Sequence, residues 1–345
     1  MASTLNNTAW VEWMTNLMGG VSRHTLTATF PPDRFYCLLD ELPLHLLPRH
    51  AQGSTQANDD QPLYLNPECI FCSEGQIPDE LAGRMDLLEG FAMQGTTAWV
   101  RDSAGRLQPF WIGREFETLL RELRPNEPGG FSLKPSARRI LSAAGILISQ
   151  EEQFQRDLRH HEMIVRASKM FRERDYAPLP GLIHPFHVAA LRRYYRHRIR
   201  SGTIQLGDRQ SPLRYNAHNE PIARFFHHQI VGVLSAVAGE PLKPSYVYMA
   251  SYLAGAELKK HTDREQCEFS ITLCLDFSPE PKLATSWPIS MDTLAGKVTV
   301  YQALGDGLAY RGTRLPHYRA PLGAGQSSTS IFFHYVSEDF TGLLE

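Results

Sequence analysis

Few residue types are scarce in this chain, and each scarcity removes a class of protein. Cysteine is limited to Cys37, Cys69, Cys72, Cys267 and Cys274. An odd, scattered set does not make the disulfide framework of a small secreted domain, and it suits a reducing compartment. Cys69-Ile70-Phe71-Cys72 is one CxxC with no second pair. It therefore offers no four-cysteine zinc site and reads as two structural thiols. No apolar run reaches the roughly 18 to 20 residues that a membrane span needs. Met1 to Trp13 has neither the basic start nor the apolar centre of a secretory leader, so the expected location is cytoplasmic. Neither sign of charge dominates: 35 Lys and Arg stand against 37 Asp and Glu. That balance gives no global field to attract nucleic acid or an anionic membrane. No internal repeat or low-complexity tract is visible.

What is present is the composition of an ordinary globular protein, 42% hydrophobic and 21% charged over 345 residues, enough for one or two domains. The expected class is α+β. Residues 1–150 form an N-terminal α+β region, and residues 151–345 form a helical support followed by a strand-rich core. Trp10 and Trp13 read as packing anchors. Ala51 to Asp60 reads as a linker. Ala98-Trp99-Val100 and Gln108 to Ile112 read as strands joined through Asp102 to Gly105. Helices follow at Phe116 to Leu123 and Lys134 to Ala144, then Gly145-Ile146-Leu147-Ile148. This order is loosely similar to the winged-helix peptide-recognition domains attached to enzymes that modify ribosomal peptides; a purely buttressing role is the alternative.

Between residues 150 and 200 Phe154, Leu158, His161 and Val165 keep a helical period, and Pro178 to Pro185 breaks the chain before a helix over Phe186 to Arg200. The basic tail Arg192, Arg193, Arg196, His197, Arg198 and Arg200 reads as a solvated face or as charge favourable to the helix C-terminus. Asn219 is the expected N-cap of a further helix ending at Gly239, with His227 and His228 at its surface or core edge. After Pro244 the pattern becomes one of strands: Tyr246 to Leu253, Glu268 to Asp276, Lys297 to Ala303, Gly307 to Tyr310 and Ser328 to Val336. Strands in succession without intervening helices imply an antiparallel barrel or jelly roll.

The chemistry sits within that run. In His261-Thr262-Asp263 a His and a carboxylate two residues apart share one face of an extended chain. His317, 54 residues beyond Asp263, can return from a distant strand to the same place. Two imidazoles and a carboxylate on one side of a metal are the facial set of non-haem Fe(II) oxygenases.

Residues 245–340 resemble the double-stranded β-helix (jelly-roll) core of Fe(II)- and 2-oxoglutarate-dependent dioxygenases, nearest the prolyl-hydroxylase-like branch. The likeness is carried by Tyr252 to Gly255, His261-Thr262-Asp263-Arg264-Glu265-Gln266, Gly305-Asp306-Gly307, Tyr310-Arg311-Gly312, Leu315-Pro316-His317-Tyr318-Arg319 and Ser330 to Val336. It implies iron held by His261, Asp263 and His317, with 2-oxoglutarate and dioxygen as co-substrates. Many relatives bind the far carboxylate of 2-oxoglutarate with a cation about ten residues past the distal His; here Gly325 to Ser330 supplies none. Arg319 is the first choice for that cation, Arg311 and Arg314 are fallbacks, and Tyr248 and Tyr252 are hydroxyl donors to the same carboxylate. Relatives that halogenate usually lack the carboxylate, so Asp263 favours hydroxylation or another oxidative outcome. Arg264 and Trp287 are candidates for shaping the mouth. The expected substrate is a peptide or amino-acid side chain. A free small metabolite, a cupin-type metal protein without oxygenase activity and a degenerate scaffold stand as alternatives, and the oligomeric state is open.

Overall fold

The computed structural model describes residues 30–42, 62–124, 127–129, 133–208 and 210–344; Trp10, Trp13 and Ala51 to Asp60 lie outside them. The chain divides into two compact units. One runs to Asp86 and from Gly90 to His160, and the other comprises Leu87–Glu89 and His161 onward.

In the first unit β1 (Tyr64–Leu65), β2 (Cys69–Cys72), β3 (Thr96–Arg101) and β4 (Leu107–Ile112) precede the helices α1 (Arg114–Glu122) and α2 (Pro135–Ala143), and β5 (Leu147–Ile148) closes back on β1. Strands β2, β3 and β4 form one antiparallel sheet. The β3–β4 turn is set by Asp102, whose Oδ1 accepts from the backbone N–H groups of Ala104 and Arg106, while Gly105 supplies the positive φ. In the core Phe91 stacks with Trp99 and Trp111, and Phe35 packs edge-on against Phe91. Cys69 and Cys72 are unbridged.

Helix α3 (Gln150–Arg174) carries the periodic stripe, yet Phe154, Leu158 and Val165 are 60%, 38% and 55% exposed. Its buried residues are Ala167, Ser168 and Phe171, near its C-terminal end. The second unit continues through β6 (Tyr176–Leu179), α4 (Pro185–Arg200), β7 (Arg214–His218) and α5 (Pro221–Ala238). Then come β8 (Leu242–Leu253), β9 (Leu258–His261), β10 (Phe269–Ser278), β11 (Ile289–Thr293), β12 (Gly296–Val300), β13 (Gly307–Arg311), β14 (His317–Arg319) and β15 (Ser327–Ser337). A six-stranded sheet runs β6-β13-β10-β15-β8-β7 and a four-stranded sheet β12-β11-β14-β9, with antiparallel pairing throughout. From β8 to β15 the chain passes back and forth between the two sheets. Ile289 and Met291 of the smaller sheet pack against Tyr176, Leu308 and Tyr310 of the larger one. On β15 the alternation sends Phe333 and Tyr335 towards His227 of α5, while Phe332 and His334 line the cavity on the other face.

Four local readings are corrected. The α5 N-cap is Glu220, whose carboxylate accepts from Ala223 N–H and from the hydroxyls of Tyr194 and Tyr195. Asn219 is left-handed instead, and its Oδ1 accepts from Val247 N–H of β8. His227 is buried rather than peripheral, because its Nε2 donates to the carbonyl of His334 at 2.7 Å. The basic run of α4 is not mainly solvated: Arg192 and Arg196 both pair with buried Asp276 of β10, and Arg198 pairs with Glu220. Strands β6, β7 and β11 were not expected, being short; the extended segment at His261 and the strand carrying His317 are present as β9 and β14, with Asp263 just past the end of β9.

Candidate metal centre

His261 and His317 are cross-strand partners where β9 pairs with β14, which places their rings 4.4 Å apart. Asp263, two residues past His261, is tied down by its N–H to the carbonyl of Gly312 at 2.9 Å. Its Oδ1 is 3.6 Å from Nε2 of both His261 and His317. In each imidazole Nδ1 faces a backbone carbonyl, Lys259 at 2.7 Å and Leu315 at 3.0 Å. Donation there fixes the tautomer and leaves the Nε2 lone pairs turned to the common point. His317 is buried and His261 is 40% exposed, so the three donors form a cup open on one side.

Asp263 Oδ2 points the other way and accepts from Ser270 Oγ at 3.1 Å. Ser270 Oγ also lies 2.8 Å from Nδ1 of His334. Gly312 makes room for the carboxylate: a Cβ there would stand 2.3 Å from Asp263 Oδ2 and 2.4 Å from the carbonyl of Cys267. Burial alone would raise the Asp263 carboxyl, but the adjacent His261 and the neighbouring His317 and His334 hold it below its ordinary value. The nearby Asp263 carboxylate in turn raises His261, whereas burial lowers His317.

Strand register explains how this polar strip enters the interior. Ser270, Thr272 and Cys274 share one face of β10, opposite His334, Phe332 and Ser330 of β15. Phe332, Ser330 and Ser328 in turn face Tyr248, Ala250 and Tyr252 of β8. Arg319, two residues beyond His317 on β14, is 6% exposed. It donates to the carbonyl of Trp287 at 2.6 Å and lies at 3.4 Å from Gln302 Oε1, with its guanidinium over the Trp287 ring. Its Nε has no partner, and among the described residues no carboxylate pairs with it. Burial accordingly lowers its pKa. An unneutralised guanidinium inside a protein is costly, and an incoming anion relieves it.

The other expected residues separate. Tyr248 and Tyr252 line a cavity of about 610 Å³ together with the triad and Arg264. Trp287 is not at the mouth: it is 3% exposed, its Nε1 donates to Ala320, and its ring packs edge-on against Tyr252. Arg311 is committed to Asp175, Glu240 and Glu268, and Arg314 lies 62% exposed beside Asp175. None of Arg311, Arg314 and Arg319 lines the cavity; Arg319 sits over Trp287, whose ring packs against the lining residue Tyr252.

Several cavity residues escaped the sequence reading. Arg214 of β7 lines it, held by Asp208 at 2.7 Å, with Tyr248 donating to the same carboxylate at 2.8 Å. Cys267 and His334, also in the lining, were missed as well, as was the buried Ser270 that bonds Asp263 and His334. The alternation of Phe269, Ile271 and Leu273 already implied that Ser270 and Thr272 face the opposite side. No sequence signal marked Arg214.

No protein-family model matches the chain, and neither does any curated protein. Among solved structures the chain is similar to a Pseudomonas putida prolyl-4-hydroxylase, at 16% identity over 50% of this chain and 98% of that one, with a TM-score of 0.42. It is also similar to AviO1 from Streptomyces viridochromogenes Tue57, at 18% identity over 52% of this chain and 96% of that one, TM-score 0.42. A third likeness is to SnoK, a non-heme alpha ketoglutarate dependent carbocyclase from nogalamycin biosynthesis, at 13% identity over 50% of this chain and 84% of that one, TM-score 0.42.

Proposed function

We propose that this chain is an Fe(II)- and 2-oxoglutarate-dependent oxygenase that hydroxylates an unactivated C–H bond on a peptide or amino-acid side chain. The observation that carries the reading is the joint presence of the His261, Asp263 and His317 cup and a buried, unneutralised Arg319 two residues further along β14. The return of strands β8 to β15 between two packed antiparallel sheets supports a double-stranded β-helix as the core.

The donor set suits iron: two neutral imidazoles and one carboxylate leave adjacent positions free. Iron there, with 2-oxoglutarate and dioxygen as co-substrates, supplies the oxidising power, with succinate and carbon dioxide as co-products. The protein contributes position and exclusion of water. Arg319 binds the far carboxylate of 2-oxoglutarate through its guanidinium, and Tyr252 borders the same region. The apolar cluster of Tyr252, Phe277, Trp287, Leu322 and Phe332 keeps that end dry. Tyr246, Tyr248, Arg214 and Arg264 wall the larger space next to the triad, where the substrate would bind. A cupin-type protein without oxygenase activity would have no use for a buried cation beside its metal, so Arg319 speaks against that alternative.

Turnover tests the reading. With Fe(II), 2-oxoglutarate and air, the protein forms succinate, and His261→Ala does not. Succinate formation equal in both proteins, or absent from the wild type, contradicts it.

A further inference from the structure

A second group of donors adjoins the first. Asp263, Cys267 and His334 present ligand atoms that all lie within 4.8 Å of one another. Cys267 and His334 are buried, and both line the cavity. The two carboxylate oxygens of Asp263 divide between the groups. Oδ1 faces His261 and His317, while Oδ2 faces Ser270, which is itself bonded to His334. We propose that Asp263, Cys267 and His334 form a second metal-binding set, selective for a thiophilic divalent ion of the zinc class, whose occupation weakens the iron set through the shared Asp263 carboxylate.

Donor chemistry decides the selectivity. The iron set holds nitrogen and oxygen only, whereas the second set adds a sulfur, which favours zinc and its congeners over Fe(II). A cysteine, a histidine and a carboxylate also match the ligands of zinc, which bind at about 2.0 to 2.3 Å in a tetrahedron with room for one further ligand. The open side of the cavity supplies that fourth position. Entry of the ion requires small movements that the neighbourhood can make. Tyr246 OH, 3.0 Å from Cys267 Sγ, releases the thiol, and Ser270 releases Asp263 Oδ2. The thiol proton passes to solvent as the metal–sulfur bond forms, so no oxidant or reductant is needed. Because both sets use one carboxylate, zinc on Oδ2 draws charge from Oδ1 and repels a second cation, which weakens iron at the first. The donor cluster itself stands on geometry; only its effect on iron rests on the oxygenase reading.

Cobalt(II) is the probe, since a cysteine thiolate bound to it gives an intense near-ultraviolet charge-transfer band that imidazole and carboxylate ligands do not. Titration of the full chain with Co(II) is expected to raise this band, and added zinc to remove it. The band persists in His261→Ala, which disables the iron set, and disappears in Cys267→Ser. His334→Gln weakens Co(II) binding at least about tenfold and provides the same test should Cys267→Ser fail to fold. No band in wild type or His261→Ala overturns the proposal, and so does a band that survives Cys267→Ser or full-strength binding by folded His334→Gln. Succinate formation by the wild type is scored separately, so loss of the oxygenase reading and loss of the second metal set give different results.

Discussion

Ser270 Oγ donates to Asp263 Oδ2 at 3.1 Å, which leaves Oδ1 as the carboxylate oxygen facing both histidines. A hydroxyl on β10 thereby orients a side chain that follows β9. Removing such a supporting bond typically costs about 10- to 100-fold in metal affinity. Ser270→Ala is expected to weaken Fe(II) binding within that range while its thermal melting, measured without metal, stays close to wild type. Unchanged iron affinity would show that the carboxylate needs no such support.

Gly312 makes a sharper prediction. A methyl group there would lie 2.3 Å from Asp263 Oδ2, on a side chain of the cup, and 2.4 Å from the Cys267 carbonyl behind it. Gly312→Ala should displace the carboxylate and lower iron affinity more than Ser270→Ala does, as read by equilibrium metal titration. Wild-type affinity in the alanine variant would contradict the geometry.

For Arg319 the expected loss falls on one ligand only. Truncating one partner of a buried hydrogen-bonded charge pair costs about 2 to 5 kcal/mol, or roughly 30-fold and upward in affinity. Arg319→Met should raise the 2-oxoglutarate dissociation constant by at least that factor and leave Fe(II) binding intact. Titration of each ligand separately checks both halves. The same titration on Arg311→Met is expected to show wild-type 2-oxoglutarate affinity, since Arg311 is occupied by Asp175, Glu240 and Glu268.

A pH effect follows from His227. Burial first, then the nearby His228, His334 and Arg224, hold its pKa well below the ordinary 6.5, despite the opposing hydrogen bond to the His334 carbonyl. The unfolded chain therefore takes up a proton near pH 6.5 that the native chain refuses, and stability falls as pH drops below that value. Denaturant midpoints at pH 7.5 and 5.0 measure it: His227→Gln should show a smaller drop than wild type between the two. An equal drop would assign the acid sensitivity to other groups.

The sequence made the long elements and the spacing of the triad readable, because each depends on local pattern. Phe269, Ile271 and Leu273 alternate, Gly239 ends α5 in the left-handed conformation that glycine accepts, and His261 and Asp263 are near neighbours. What remained hidden depends on register between distant strands. The pairing of His317 with His261 is a property of β9 against β14, and Ser270 meets His334 only because β10 lies beside β15. Trp287 was misplaced at the mouth for a related reason: its ring packs beside Arg319 and Tyr252, which are 32 and 35 residues away in sequence. The basic run of α4 likewise gave no hint of Asp276, which lies 84 residues from Arg192 in sequence.

His261, Asp263 and His317 would hold the iron, and 2-oxoglutarate would be its co-substrate ligand. Anaerobic addition of Fe(II) and 2-oxoglutarate tests this assignment most directly through the weak visible charge-transfer band that such a chelate produces. The account predicts this band in the wild type and its loss in His261→Ala. A wild type without the band, or a His261→Ala variant that retains it at full strength, would contradict the assignment.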